Sequence, residues 1–110
     1  EPQRAMCIFA LALDHVEDFP FVLLFNRDEF FSRPTSSPCL HEDGLLCGLD
    51  GEKGGTWMGF NMRTGAFAAL TNVRCVQPNS LSRGQLVKSV LLGDVSGLAS
   101  ADYTAYNLLR

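Results

Sequence analysis

With 110 residues, 46% of them hydrophobic, the chain can bury an ordinary core and has the composition of a globular domain or part of one. A formal net charge of −3 and the lack of any Lys/Arg run leave no electrostatic footprint for nucleic acid, so no nucleic-acid partner is expected. No apolar stretch approaches the roughly 18 residues needed to cross a bilayer, so no transmembrane helix is expected.

The first element is the apolar run Met6 to Leu13. With Arg4 ahead of it, the run is long enough for a short signal core. However, Glu1 offsets Arg4, and Ala10-Leu11-Ala12 lies inside the run instead of after it. The acidic connection Asp14-His15-Val16-Glu17-Asp18 then leads into a second run, Phe19 to Phe25, and the pair predicts an antiparallel hairpin. Seven nearly uninterrupted apolar residues predict that the second strand is buried on both faces. It ends in Asn26-Arg27-Asp28-Glu29. Charges at the end of a buried strand are costly unless they pair or bind something, so this is either a solvated turn or a polar site held by a rigid scaffold.

From Phe30 to Glu42 the texture of Ser, Pro and Thr predicts an irregular loop, because Pro34 and Pro38 cannot supply ladder hydrogen bonds. A short strand is expected within Gly44 to Leu49, then a turn over Asp50 to Gly55. Two further strands, Thr56 to Asn61 and Ala66 to Asn72, are joined by Met62-Arg63-Thr64-Gly65, with Gly65 suited to positive φ. Beyond Pro78 the period changes. Ser82 is a candidate N-cap, Leu86, Val87, Val90 and Leu91 share one helical face, and Gly93 stops the helix. Ser96 to Ala105 is a weaker helix candidate, and Tyr106 to Arg110 looks like the start of a strand. The order predicts an α+β fold, incomplete in this chain.

Cys7, Cys39, Cys47 and Cys75 are too few for a disulfide scaffold and form no C-x-x-C pair, which points to reduced thiols in an intracellular protein. The spacing of Cys39, His41 and Cys47 matches no common zinc finger or ribbon. Cys7 follows Met6, and removal of that methionine would leave a free α-amine, with a pKa of about 8, able to act as base for its own thiol. Against this, a free cysteine in a strand is most often a buried small hydrophobe, and Glu1 to Ala5 block the amine unless removed.

Hairpin pairing places the start of one strand beside the end of the other, which puts Cys7 near Asn26, Arg27 and Asp28. There a guanidinium would favour thiolate and a carboxylate could hold the amine. Gly54-Gly55-Thr56-Trp57 allows backbone to approach backbone or ligand, and Trp57 offers either a ligand platform or a core ring. Asn72 at a strand end could donate to an oxyanion or simply close a turn. Ser82-Arg83-Gly84 could hold an anion at a helix N-terminus or act as a plain cap.

These blocks occur in a recognisable order. Met6-Cys7-Ile8, Asn26-Arg27-Asp28-Glu29-Phe30 with Ser32-Arg33-Pro34, Gly48-Leu49-Asp50, Gly54 to Gly59, Leu70-Thr71-Asn72 and Ser82-Arg83-Gly84 together resemble the NRDE family, that of the transport and Golgi organisation protein 2 homologues. Family members are more than twice as long, which implies that residues 1–110 are one N-terminal part of a longer domain. The resemblance implies a fold like that of the N-terminal-nucleophile hydrolases, with packed antiparallel sheets between helix layers. It also implies roles in Golgi organisation and secretion, mitochondrial and lipid metabolism, acyl-CoA handling and haem mobilisation. No firm catalytic activity or required cofactor comes with it. A more distant likeness to the choloylglycine hydrolase group would make Cys7 a nucleophile, with Arg27 and Asp28 beside it and Asn72 as oxyanion donor.

Three readings follow. The preferred one is a trafficking factor or carrier for haem or an acyl-CoA-like lipid, in the cytoplasm with Golgi or mitochondrial association. Asn26, Arg27, Asp28, Glu29, Trp57 and Arg83 would then be its ligand-binding residues. The second is a cysteine hydrolase of linear amides using Cys7, and the third an interaction domain whose motifs only hold the fold. A sheet edge left where the chain ends would favour self-association.

Overall fold

The two N-terminal apolar runs fold back on one another as expected. In the computed structural model, which describes residues 6–73, 81–99, 102–103 and 106–110, the strands β1 (Ile8–Val16) and β2 (Phe19–Asn26) pair antiparallel. Ile8 stands opposite Asn26 and Leu13 opposite Phe21, but Val16 meets Phe19, so β1 carries an extra residue as a bulge. Asp14 and Asp18 take left-handed backbone, at φ 53° and 67°, which Asp tolerates better than most side chains. The bulge lets β1 run on through His15 and Val16. The five-residue acidic loop expected from the sequence therefore shrinks to the turn Glu17-Asp18.

The hairpin belongs to the first of two units into which the chain divides, Glu1–Phe30 and Phe31–Arg110. The expected burial of β2 on both faces is not found. Phe19 is 61% exposed, Leu24 69% and, on β1, Ile8 67%. Within its own unit the hairpin has two strands and no covering layer, so pairing satisfies the backbone without burying the side chains. Phe9 and Phe25, in register, stack with ring centroids 6.3 Å apart.

The second unit is an antiparallel five-stranded sheet in the spatial order β3 (Cys39–Leu40), β4 (Leu45–Cys47), β5 (Met58–Asn61), β6 (Phe67–Asn72), β7 (Tyr106–Leu109). One helix, α1 (Arg83–Leu91), lies against β5 and β6. Leu86, Val87, Val90 and Leu91 are the buried helical face read from the sequence, and they close a core with Leu45, Cys47, Ala68 and Leu70. At about 1.5–3 kcal/mol for each large buried aliphatic, this face holds helix to sheet. Asn61 is buried in the same layer: its Nδ2 donates to the Leu91 carbonyl at 2.9 Å, and its Oδ1 accepts the Arg63 and Thr64 N–H groups. One side chain thus ties the β5–β6 turn to the helix C-terminus.

The punctuation fell largely where expected. Gly65 sits at φ +77° in the β5–β6 turn. Gly93, at φ +93°, ends α1 with its N–H on the Val90 carbonyl and that of Asp94 on Ser89, satisfying the last helical carbonyls. Ser82 occupies the expected N-cap position, although its side chain makes no cap bond. One expectation needs correction. The segment expected as loop, Phe30 to Glu42, includes the edge strand β3 and a bridge between Thr35 and Asp50. Both prolines stay outside the ladder, so the strand forms only after Pro38. Ser96–Ala99 is a short 3₁₀ turn; the rest of the expected second helix lies partly outside the described residues, as do Glu1 to Ala5, Cys75 and Pro78. The α+β class holds, with antiparallel sheets and one α-helix among the described residues.

Candidate functional site

The open end of the hairpin gathers five of the sequence-selected residues. Since Ile8 pairs with Asn26, continuing the register by one residue sets Cys7 opposite Arg27. The Met6 N–H donates to Asp28 Oδ2 at 3.1 Å, tying the two arms of the hairpin beyond the last ladder pair. The Arg27 guanidinium lies 3.9 Å from the Glu29 carboxylate, with side chains 14% and 21% exposed. Glu29 Oε1 accepts the Phe30 N–H at 3.0 Å, which turns the chain out of the hairpin. Asn26 is the last residue of β2 and is exposed.

Cys7 is half-buried, and burial pushes its thiol up from the ordinary range. The Asp28 backbone N–H and the Arg27 charge pull the other way, while Glu29 and Asp28 carboxylates add to the rise. Arg27 favours the thiolate as expected, but desolvation outweighs the guanidinium and the net shift is upward. Alternation along the strands puts Cys7, Phe9 and Leu11 on the same hairpin face as Leu23, Phe25 and Arg27. An apolar stripe thus leads to a thiol and a guanidinium.

Trp57, Asn72 and Arg83 belong to the second unit. The Trp57 ring covers Gly48, where a Cβ would stand 2.8 Å from it and 2.8 Å from the Ser36 carbonyl oxygen. Asn72 closes β6 opposite Tyr106 and is exposed. Arg83 is the first residue of α1.

The other motif residues interlock. Arg33 binds Asp50 at 2.6 Å and Glu52 at 3.2 Å. The Gly51 N–H donates to the Pro34 carbonyl at 2.7 Å, and Ser36 exchanges two hydrogen bonds with Leu49. Burial opposes ionisation of Asp50, but Arg33 and the Glu52 and Lys53 N–H groups more than offset it and hold the carboxyl below its usual range. The Gly55 and Gly84 backbones touch, with the Thr56 N–H donating to the Gly84 carbonyl at 3.2 Å. Sequence reasoning missed the Arg33–Asp50 pair; the signal was present in Pro34 and Gly51, which flank it on two segments that must meet. Among the described residues no group of three or more His, Cys, Asp or Glu side chains could hold a metal ion.

A family model described as Transport and Golgi organisation 2 matches residues 6–108, spanning hairpin, sheet and helix. The chain belongs to that family. A Transport and Golgi organization protein 2 homolog of Bos taurus is 35% identical over 125 aligned positions, covering 94% of this chain and 44% of that protein. The Homo sapiens homolog is 37% identical over 107 positions, covering 86% of this chain and 38% of its own length, and the Mus musculus homolog is 34% identical over 105. The chain therefore spans less than half the length of these curated relatives of the Transport and Golgi organisation 2 family. No solved structure matches the chain significantly. Among the described residues no helix is long and apolar enough to cross a membrane.

Proposed function

We propose that this chain is part of a non-catalytic trafficking factor that binds an amphipathic anion, haem or an acyl-CoA-like lipid, at the open end of the hairpin. It would act in the cytoplasm and at Golgi or mitochondrial surfaces, and the family's name supports the transport half of this reading. The observation that carries the binding half is the Phe9–Phe25 stripe ending in Cys7 and Arg27. It pairs an apolar wall with a cation, as such a ligand requires, while burial keeps the thiol neutral and poorly nucleophilic. The longer domain would complete a sandwich like that of the N-terminal-nucleophile hydrolases.

Titration of the natural full-length protein with haemin and with palmitoyl-CoA tests the proposal. It expects a dissociation constant of roughly tens of micromolar or tighter for one of them, and about tenfold weakening in Arg27→Ala. No binding of either ligand at such concentrations overturns it. The alternative, amide hydrolysis by Cys7, draws on Asp28, whose carboxylate already reaches the backbone one residue before Cys7. It requires Cys7 to be the native N-terminus, which mass spectrometry of the protein from its natural source decides.

A further inference from the structure

The β3–β4 hairpin carries two cysteines that the proposed binding role does not use. The two strands meet through a three-residue loop, Glu42-Asp43-Gly44, with the Gly44 N–H on the His41 carbonyl and the His41 N–H on the Leu45 carbonyl, both at 2.9 Å. That closure sets the register, so Leu40 opposes Leu46 and Cys39 opposes Cys47. Directly opposed residues project from the same face of a sheet, and a hydrogen-bonded antiparallel pair has Cα atoms about 5.5 Å apart. That Cα separation lies inside the range that disulfides adopt. Both cysteines are free thiols.

The two thiols have unlike surroundings. Cys39 is exposed on the edge strand, whereas Cys47 is buried beneath the helix layer, beside Gly59 and within hydrogen-bond reach of Thr56. His41 stands between them on the same face. Its Nε2 is 3.0 Å from the Cys47 carbonyl oxygen and 3.6 Å from Cys39 Sγ. A carbonyl can only accept, so Nε2 carries the proton and donates; the same N–H then faces the Cys39 sulfur. An outer thiol open to small oxidants thus lies in register with an inner thiol that solvent does not reach.

We propose that Cys39 and Cys47 form a redox site in which a peroxide oxidises Cys39 and Cys47 resolves it as an intrachain disulfide. Cys39 sulfur attacks hydrogen peroxide, breaking the O–O bond and giving Cys39 sulfenic acid and one water. Cys47 sulfur then displaces hydroxide from that sulfur, and the hydroxide leaves as a second water with the Cys47 proton. Two thiols are oxidised to one disulfide and one peroxide is reduced to two waters. The bridge would clamp the edge strand to its neighbour and withdraw Cys39 from further oxidation. Without Cys47 in register, sulfenic acid at Cys39 would proceed to sulfinic and sulfonic acids.

The test treats the reduced, purified chain with hydrogen peroxide, blocks remaining thiols by alkylation in denaturant, and maps the products by mass spectrometry. Both cysteines fall in one tryptic segment, and cleavage after Glu42 separates them, so a bridge holds together two fragments that otherwise part. The expected result is loss of two hydrogens from that segment, with the fragments still joined. In Cys39→Ser, an exposed change that spares the core, the joined product should vanish. In His41→Phe, closure should slow several-fold. Sulfinic or sulfonic acid at Cys39 with an alkylatable Cys47 overturns the proposal, as does a bridge from either cysteine to Cys7 or Cys75.

Discussion

Gly55 is the most exacting position in the second unit, and replacing it by alanine tests how the helix is seated. A Cβ there would lie 2.5 Å from the Gly84 carbonyl carbon, 2.6 Å from its Cα and 2.8 Å from the Gln85 nitrogen. All three are backbone atoms in the first turn of α1, so no side chain can rotate away. Reaching ordinary contact needs roughly 0.9 Å more separation, obtained by lifting the helix start off the Gly54–Thr56 segment. Overpacking of this kind costs about 1–3 kcal/mol, and loss of the Thr56-to-Gly84 hydrogen bond adds about 1 kcal/mol. A compatible Gly→Ala change regains about 0.4–1 kcal/mol through the unfolded chain. Mid-range values combine to an expected net loss of about 2.3 kcal/mol.

Thermal and urea unfolding followed by far-ultraviolet circular dichroism measure it, with Tm falling about 10–20 °C at about 4–8 °C per kcal/mol. Gly65→Ala is the comparison: nothing lies within 4 Å of its Cβ, but its φ of +77° makes alanine strained by about 1 kcal/mol. If Gly55→Ala costs no more than Gly65→Ala, the close seating of helix on turn is wrong.

Arg33→Ala should destabilise the second unit by about 2 kcal/mol, read from urea unfolding, because it leaves the part-buried Asp50 carboxylate without its cation. Asp50 has its folded pKa below the unfolded value of about 3.9. Its contribution is thus complete above that value and is lost as pH falls through the folded pKa; Asp50→Asn should flatten the acid limb of a stability–pH curve measured by unfolding. Asn61→Ala removes three hydrogen bonds at a buried position and should cost about 2–4 kcal/mol in the same assay, exposing the Leu91 amide region to faster hydrogen exchange. Cys7 should be alkylated by iodoacetamide with a midpoint above the free-thiol value of about 8.5, and a midpoint below it would remove the case for a neutral thiol.

Much of the fold was legible because its signals are local. The helical face Leu86, Val87, Val90 and Leu91 follows from a 3.6-residue period, and Gly65 and Gly93 mark positive φ where few other residues fit. Hairpin register brought Cys7 to Arg27 and Asp28 without any long-range information. Burial was not legible in the same way. The apolar run of β2 reads like a strand covered on both faces, yet whether another layer covers it is a property of distant chain.

The motif residues divide along the same line. Their order in the sequence was enough to establish the family, and the NRDE run marked the charged strand end. Only the tertiary structure separated the two kinds of motif. Gly48, Gly51, Gly55 and Gly84 are required where segments far apart in the chain touch at backbone distance, and Arg33 answers Asp50 across such a contact. The state of Cys7 was decided there too. A sequence shows which charges neighbour a thiol, but desolvation depends on everything packed around it, and here it outweighs the guanidinium beside it.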